Sequence, residues 1–173
     1  MSKPVIIGLD PSTKRFAYGV IDLDGKPIEA DFSDLERGWL HQRIGEEIGV
    51  LAARTDWDVR GIHCERPRGG GRQGAGGVEY SAGITVGLAE YRFPGRAWAW
   101  SPSEWKKALG LKGNCPKSDI AEACIEWAEE EHFDLAHERT LKKQEQKDEL
   151  CQDTIDALMI ARSGLILSTP QTE

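Results

Sequence analysis

The stretch that decides the fold of this chain is Val5-Ile6-Ile7-Gly8-Leu9-Asp10-Pro11-Ser12-Thr13, followed by Phe16-Ala17-Tyr18-Gly19-Val20-Ile21-Asp22. Two apolar runs separated by a short turn predict a β-hairpin whose first strand ends on a carboxylate. Asp10 then has two interpretations. Either it opens the turn, because Asp-Pro-Ser-Thr is favourable turn sequence, or it binds something at the end of a buried strand. Asp10 alone leaves both interpretations open.

The composition is typical of one soluble, globular domain. The chain has 173 residues, of which 39% are hydrophobic and 29% charged, so we expect a single domain over residues 1–167 and a disordered tail over 168–173. No apolar run reaches the roughly 18 residues of a membrane span, and the amino terminus lacks the pattern of a signal peptide. We therefore expect no membrane association. Four scattered cysteines indicate reduced core thiols rather than a zinc site or disulfides.

The charge of the chain is unevenly distributed. The net charge is -7, yet residues 66–117 contain nine basic and three acidic residues, whereas the remainder contains thirteen basic and twenty-six acidic ones. This asymmetry predicts a positive face on an acidic body, as contacts to nucleic-acid phosphates require, although such segments are more often ordinary solvated surface.

A glycine-rich segment lies inside this basic region. Residues 68–77 include six glycines and two arginines, without the spacing of a phosphate-binding P-loop. The segment is either a flexible linker or a basic flap that contacts substrate.

The rest of the chain alternates between short strands and helices. A strand that follows a helix can return parallel to the first strand, which would bring Glu65 beside Asp10 at one edge of the sheet. Apolar spacing and a capping box at Ser101 predict strands over 26–32, 59–64 and 97–100, and helices between Ser33 and Arg54 and over 78–92, 105–109, 118–131 and 149–167.

The last predicted helix carries two acids where a buried helix is expected. Residues 149–167 are apolar around most of the helical circumference, which is typical of a buried helix. Asp153 and Asp156 lie about 60° apart on one face at 3.6 residues per turn. Two neighbouring acids on a buried helix need a counter-charge such as a metal ion. With Asp10 and Glu65 they make four carboxylates, the oxygen ligands that Mg²⁺ prefers in two-metal phosphodiester hydrolysis.

Four motifs in this order resemble the ribonuclease H-like superfamily, and within it the RuvC-type Holliday junction resolvases. The resemblance implies an α/β ribonuclease H-like fold: a mixed five-stranded sheet, with three antiparallel strands and then parallel ones, flanked by helices. The motifs are Ile6-Ile7-Gly8-Leu9-Asp10-Pro11-Ser12, Ile62-His63-Cys64-Glu65, Trp105-Lys106-Lys107-Ala108-Leu109 continuing to Lys117, and Asp153-Thr154-Ile155-Asp156-Ala157-Leu158-Met159-Ile160-Ala161.

The resemblance also implies an activity. It implies a homodimeric, structure-specific DNA endonuclease that resolves four-way junctions by paired symmetric nicks through two-metal-ion hydrolysis. Such an enzyme works in the cytoplasm, on the nucleoid or in an infected host cell. The implied ligands of two Mg²⁺ ions, for which Mn²⁺ would substitute, are Asp10, Glu65, Asp153 and Asp156; Lys117 would approach the scissile phosphate. The candidate DNA-binding residues are Arg66, Arg68, Arg72, Lys106, Lys107, Lys112 and Lys117.

The chain departs from the family after Glu65, where RuvC proteins carry an aromatic wedge and this chain has the glycine- and arginine-rich segment. A less selective metal-dependent nuclease, acting on flaps, branched DNA or RNA–DNA hybrids, is the main alternative. Residues 8–13 also resemble the phosphate-binding hairpin of actin-like ATPases, but the chain is short for a two-lobed nucleotide cleft. A catalytically silent junction-binding protein is disfavoured because all four acids are present.

Overall fold

The computed structural model describes residues 2–12, 14–35, 40–66, 76–135 and 152–168, with the side chains of helix 76–92 described from Ser81 onward. The strands are β1 (Lys3–Pro11), β2 (Arg15–Asp22), β3 (Pro27–Asp34), β4 (Trp57–Glu65) and β5 (Ala97–Trp100). The helices are α1 (Leu40–Ala52), α2 (Gly76–Arg92), α3 (Pro102–Ala108), α4 (Lys117–Glu130) and α5 (Gln152–Ser168).

The strands form one mixed sheet in the order β3-β2-β1-β4-β5. β1 pairs antiparallel with β2, and β2 with β3, whereas β4 runs parallel to both β1 and β5. This is the predicted arrangement. Because Leu9 lies opposite Cys64 in the parallel β1–β4 pair, the next residues, Asp10 and Glu65, emerge at the same edge of the sheet, as predicted.

Each face of the sheet packs against its own helices, because side chains alternate along a strand. Val5, Ile7 and Leu9 of β1 point into a buried apolar cluster that also includes residues of α1 and α2. Ile6 points into a second cluster with residues of α3, α4 and α5. The same cluster contains the buried face of α4, formed by Ile120, Cys124, Trp127 and Ala128.

A pair of glycines lets α5 lie directly on the sheet. Gly8 of β1 and Gly19 of β2 are register partners. A methyl group on Gly8 would collide with the backbone of Ala157 and Ala161, and one on Gly19 would lie 2.6 Å from the backbone of Leu158. This close approach brings the start of α5 to the ends of β1 and β4.

The starts of two helices differ clearly from the predicted ones. The helix expected from Ser33 begins at Leu40, because β3 continues to Asp34 by pairing with β2, and the Arg15 guanidinium binds the Asp34 carboxylate at 3.1 Å. The short helix expected over 105–109 begins at Pro102, one residue after its predicted cap. α5 ends at Ser168, and the remaining residues of the expected tail lie outside the described residues.

The described cysteines agree with the sequence-based expectation. Cys64, Cys115 and Cys124 are buried and free of disulfides, as predicted, whereas Cys151 lies outside the described residues. No helix in the described ranges has the length and apolar character needed to cross a membrane.

Candidate active site

The four predicted carboxylates line one open cavity of about 500 Å³ at the ends of β1 and β4 and the start of α5. Asp10 and Glu65 come from the strand ends, and Asp153 and Asp156 from the first turns of the helix. The side chains of Lys106 (α3) and Lys117 (α4) also line it, together with Ser12, Pro102, Trp105, Gly113 and Asn114.

Ser12, rather than Asp10, closes the turn after β1. The Ser12 N–H donates to the Arg15 carbonyl oxygen at 2.8 Å, and the Ser12 hydroxyl oxygen accepts the Arg15 N–H at 2.9 Å. Within the described ranges, the Asp10 carboxylate accepts no hydrogen bond and pairs with no cation. The turn interpretation of Asp10 is therefore not needed to explain the hairpin, and its carboxylate remains for other interactions.

Asp10 lies in the most negative part of the site. Burial raises its pKa well above the ordinary value, and the carboxylates of Asp156, Glu65 and Asp153 raise it further, while the Lys117 ammonium opposes the effect. In these surroundings the Asp10 carboxylate binds a proton or a cation more favourably than an isolated carboxylate does. The direction of the shift marks Asp10 as the centre of the cluster.

Glu65, the last residue of β4, is held by an indole. Trp105 Nε1–H donates to Glu65 Oε2 at 2.9 Å. Burial raises the pKa of Glu65, and the hydrogen bond from Trp105 lowers it in part. The hydrogen bond therefore orients the Glu65 carboxylate. It occupies Oε2 and leaves Oε1 outside this contact.

The two acids of α5 differ in their surroundings. Asp156 is buried, with Gln152 Nε2 donating to its Oδ1 at 2.8 Å and Lys117 Nζ 3.6 Å from its Oδ2. Burial raises its pKa, and both contacts lower it in part. Asp153 is more exposed, and its Oδ2 lies 3.3 Å from a guanidinium nitrogen of Arg15. A buried pair was expected, but Asp153 lies at the rim with its own counter-charge.

The donor set fits a hard divalent cation by its chemistry, since four carboxylates face one cavity and raise the pKa of the deepest of them. Among the described residues, no three His, Cys, Asp or Glu side chains are already drawn together as a ready-made metal site. Partner side chains hold three of the carboxylates: Trp105 holds Glu65, Arg15 holds Asp153, and Gln152 and Lys117 hold Asp156.

The predicted basic residues are only partly brought together. Lys106 and Lys117 line the cavity, and the Lys117 side chain is 70% exposed. Arg66 is exposed beside α3, 3.4 Å from the Glu104 carboxylate. Lys107 and Lys112 are exposed outside the cavity wall. Arg68 and Arg72 lie outside the described residues, and with them most of the predicted glycine-rich flap, of which only Gly76 and Gly77 are described, in α2.

Three partners of the site had no role in the sequence-based prediction: Arg15, Trp105 and Gln152. Gln152 precedes Asp156 by four residues, a spacing that places the two side chains on one helical face. Trp105 stands in the motif that contains Lys106, but nothing in the sequence assigns its indole to Glu65. Arg15 and Asp153 are 138 residues apart, so only the fold reveals their contact.

No protein-family model matches the chain, and no curated protein matches it either. Solved structures do resemble it. Thermus thermophilus RuvC has a TM-score of 0.58 at 18% identity, covering 95% of both chains. T. thermophilus RuvC in complex with a Holliday junction substrate has a TM-score of 0.60 at 16% identity, covering 97% of this chain and 95% of that one. The yeast mitochondrial Holliday junction resolvase Ydc2 has a TM-score of 0.53 at 16% identity, covering 95% of this chain and 78% of that one.

These likenesses, together with the strand order, define an α/β fold of the ribonuclease H-like class. Within that class, the fold is that of the RuvC-type Holliday junction resolvases, over about 95% of the chain. The predicted resemblance in fold is confirmed.

Proposed function

We propose that the protein is a metal-dependent, structure-specific DNA endonuclease that resolves four-way junctions by paired symmetric nicks. One observation carries the proposal: four carboxylates and two lysines, from five separate elements, line one cavity in a RuvC-type fold. Carboxylates suit divalent cations, and the lysines suit the phosphates of the substrate. A neutral or purely basic cavity would suit DNA binding without hydrolysis.

Asp10, Glu65, Asp153 and Asp156 would hold two Mg²⁺ ions, or Mn²⁺ in their place. When bound, such ions activate a water molecule and stabilise the leaving oxygen of a phosphodiester. The strand ends fix Asp10 and Glu65, because the β1–β4 pairing runs up to these residues. The glycine pair under α5 fixes Asp156 against the same edge.

The two lysines would meet the DNA backbone. The exposed Lys117 side chain reaches Asp156 from the solvent side, so its ammonium can move to a phosphate oxygen once cations neutralise the carboxylates. Lys106 projects from α3, with its Nζ 5.4 Å from the centre of the Trp105 ring. Both lysines would position a phosphate over the acids.

Nicking of a synthetic four-way junction tests the proposal. In Mg²⁺ or Mn²⁺, Asp10→Asn and Asp156→Asn should lose cutting and keep junction binding, whereas the surface control Asp24→Asn should keep both. Full activity in either site variant would overturn the metal assignment. A parallel panel of flap, duplex and RNA–DNA hybrid decides the main alternative: equal cutting of all four substrates would replace junction resolution by a less selective nuclease.

The homodimer is a separate part of the proposal, and we place it on the face formed by α1 and α2. A groove of about 320 Å³ there is lined by Gly45, Gly49 and Leu88, and beside them Tyr91 is 77% exposed. A protruding side chain and a groove on one face allow reciprocal docking about a two-fold axis. The remaining groove residues include Arg92 and Glu46, and Glu46 pairs with Arg43 of the same chain at 3.1 Å.

A further inference from the structure

Trp105 makes a contact with the site that packing alone does not require. Its side chain is almost fully buried, at 1% exposure, in the apolar cluster beneath α5. Its indole nitrogen nevertheless reaches the cavity wall and donates to Glu65 Oε2 at 2.9 Å. An indole N–H can only donate, so this bond occupies one particular oxygen of the carboxylate.

Three contacts hold α3, which carries this indole, and the end of β4, which carries Glu65. A capping box of Ser101 and Glu104 fixes the start of α3. The backbone N–H of Arg66, which follows Glu65, donates to the Trp100 carbonyl oxygen at 2.6 Å. The Arg66 guanidinium binds Glu104 at 3.4 Å. The donor and the acceptor of the Trp105–Glu65 bond therefore lie on segments that are hydrogen-bonded and ion-paired to each other.

We propose that Trp105 is a positioning residue for Glu65: by holding Oε2, it leaves Oε1 as the oxygen that binds a divalent cation. The inference rests on the proposed function, since it concerns a ligand of the same site. It assigns Glu65 a single-oxygen mode of binding. It also couples the metal ligand to α3, the helix that carries Lys106.

The substitution Trp105→Phe removes the donor and keeps an aromatic ring in the core. The matched control is Trp127→Phe, which removes an indole from the same buried cluster without a contact to the carboxylates. Loss of a partner that orients a metal ligand typically weakens metal binding about 10- to 100-fold. Mn²⁺ affinity, measured by electron paramagnetic resonance, should fall by about that factor in Trp105→Phe and stay within about twofold of the wild type in the control.

The outcomes separate this inference from the proposed function. If the wild type binds Mn²⁺ and Trp105→Phe binds it equally well, the positioning role falls and the proposed function stands. A wild type that binds no Mn²⁺ overturns both. Equal losses in Trp105→Phe and Trp127→Phe would show a packing effect and would also overturn the positioning role.

A second measurement uses the intact chain and stays informative if Trp105→Phe does not fold. In protein labelled with ¹⁵N-tryptophan, the Trp105 indole resonance should shift as Mg²⁺ is added, because the carboxylate that accepts its hydrogen bond then also binds a cation through Oε1. The Trp127 indole resonance should stay in place. A Trp105 resonance that does not respond to saturating Mg²⁺ would overturn the inference.

Discussion

The two faces of the sheet pack against their helices in different ways. On one face, α5 lies against paired glycines so closely that its backbone leaves no room for a methyl group, and the end of this contact carries four acids. On the other face, α1 and α2 pack through ordinary apolar side chains and leave an exposed groove. The proposed chemistry therefore belongs to the first face, and the second face supplies packing and an exposed surface.

This difference also separates stability from activity. Burial and neighbouring carboxylates raise the pKa values of Asp10 and Asp156, so in the absence of a cation the ionised forms of these two groups destabilise the folded chain. Among the described residues that line the groove on the α1 and α2 face, Glu46 is the single acid. Substitutions on the two faces should therefore have different effects on stability, association and metal binding. The following predictions test this difference, from the largest expected effect to the smallest.

A methyl group in the α5 contact should have the largest effect. Gly8→Ala should lower the free energy of unfolding by about 3 kcal/mol or more, because the backbone of Ala157 and Ala161 occupies the space. Gly83→Ala, in α2, meets no atom within 4 Å and should raise it by about 0.5–1 kcal/mol. Urea denaturation of both variants checks the contrast, and a mild effect of Gly8→Ala would contradict the close packing.

A charge in the groove face should weaken association and leave folding intact. Tyr91→Asp is expected to cost about 2 kcal/mol of dimer stability, roughly 30-fold in Kd. Leu23→Asp, at another exposed apolar side chain, should leave the dimer unchanged. Sedimentation of the three proteins over a range of concentrations measures the effect, and an unaltered Kd for Tyr91→Asp places the interface elsewhere.

Removing the charge of Asp10 should stabilise the metal-free protein. The pKa of Asp10 is higher in the folded chain than its ordinary value, so ionisation at neutral pH favours unfolding. Asp10→Asn should therefore raise the Tm in EDTA by a few degrees at pH 7. The gain should vanish near pH 3, where the carboxyl is protonated in both the folded and the unfolded chain. Equal melting at pH 7 would show that Asp10 experiences no such repulsion.

The smallest expected effect is on the number of protons that metal binding releases. Because the pKa values of Asp10, Glu65 and Asp156 are all raised, the protonated fraction of these groups grows as the pH falls, and a cation that binds them must displace those protons. Mn²⁺ binding measured calorimetrically in buffers of different ionisation enthalpy should release more protons at pH 5.5 than at pH 8. Release that does not depend on pH would place the metal away from these acids.

Much of the fold follows from local patterns in the sequence. Alternating and continuous apolar runs predict the hairpin and β4, and the capping box predicts α3 within three residues. The end of β3 was mispredicted, because its last residues are held by pairing with β2 and by the contact of Asp34 with Arg15. No local pattern encodes that contact.

The sequence predicted the acids of the candidate site, but it did not predict the side chains that contact them. Each acid stands where a pattern ends or is interrupted: at a strand end or on an otherwise apolar helix. The partners come from distant parts of the chain, since Trp105 lies 40 residues from Glu65 and Arg15 lies 138 residues from Asp153. Such contacts depend on how the elements cross, and only the folded chain specifies that.

The most direct test of the account is single-turnover nicking of a synthetic four-way junction in Mg²⁺ by the wild type and Asp10→Asn. The account predicts paired symmetric nicks by the wild type, and a loss of at least roughly 1,000-fold in rate, or about 4 kcal/mol, in Asp10→Asn with junction affinity retained. Cutting by Asp10→Asn at the wild-type rate would contradict the account.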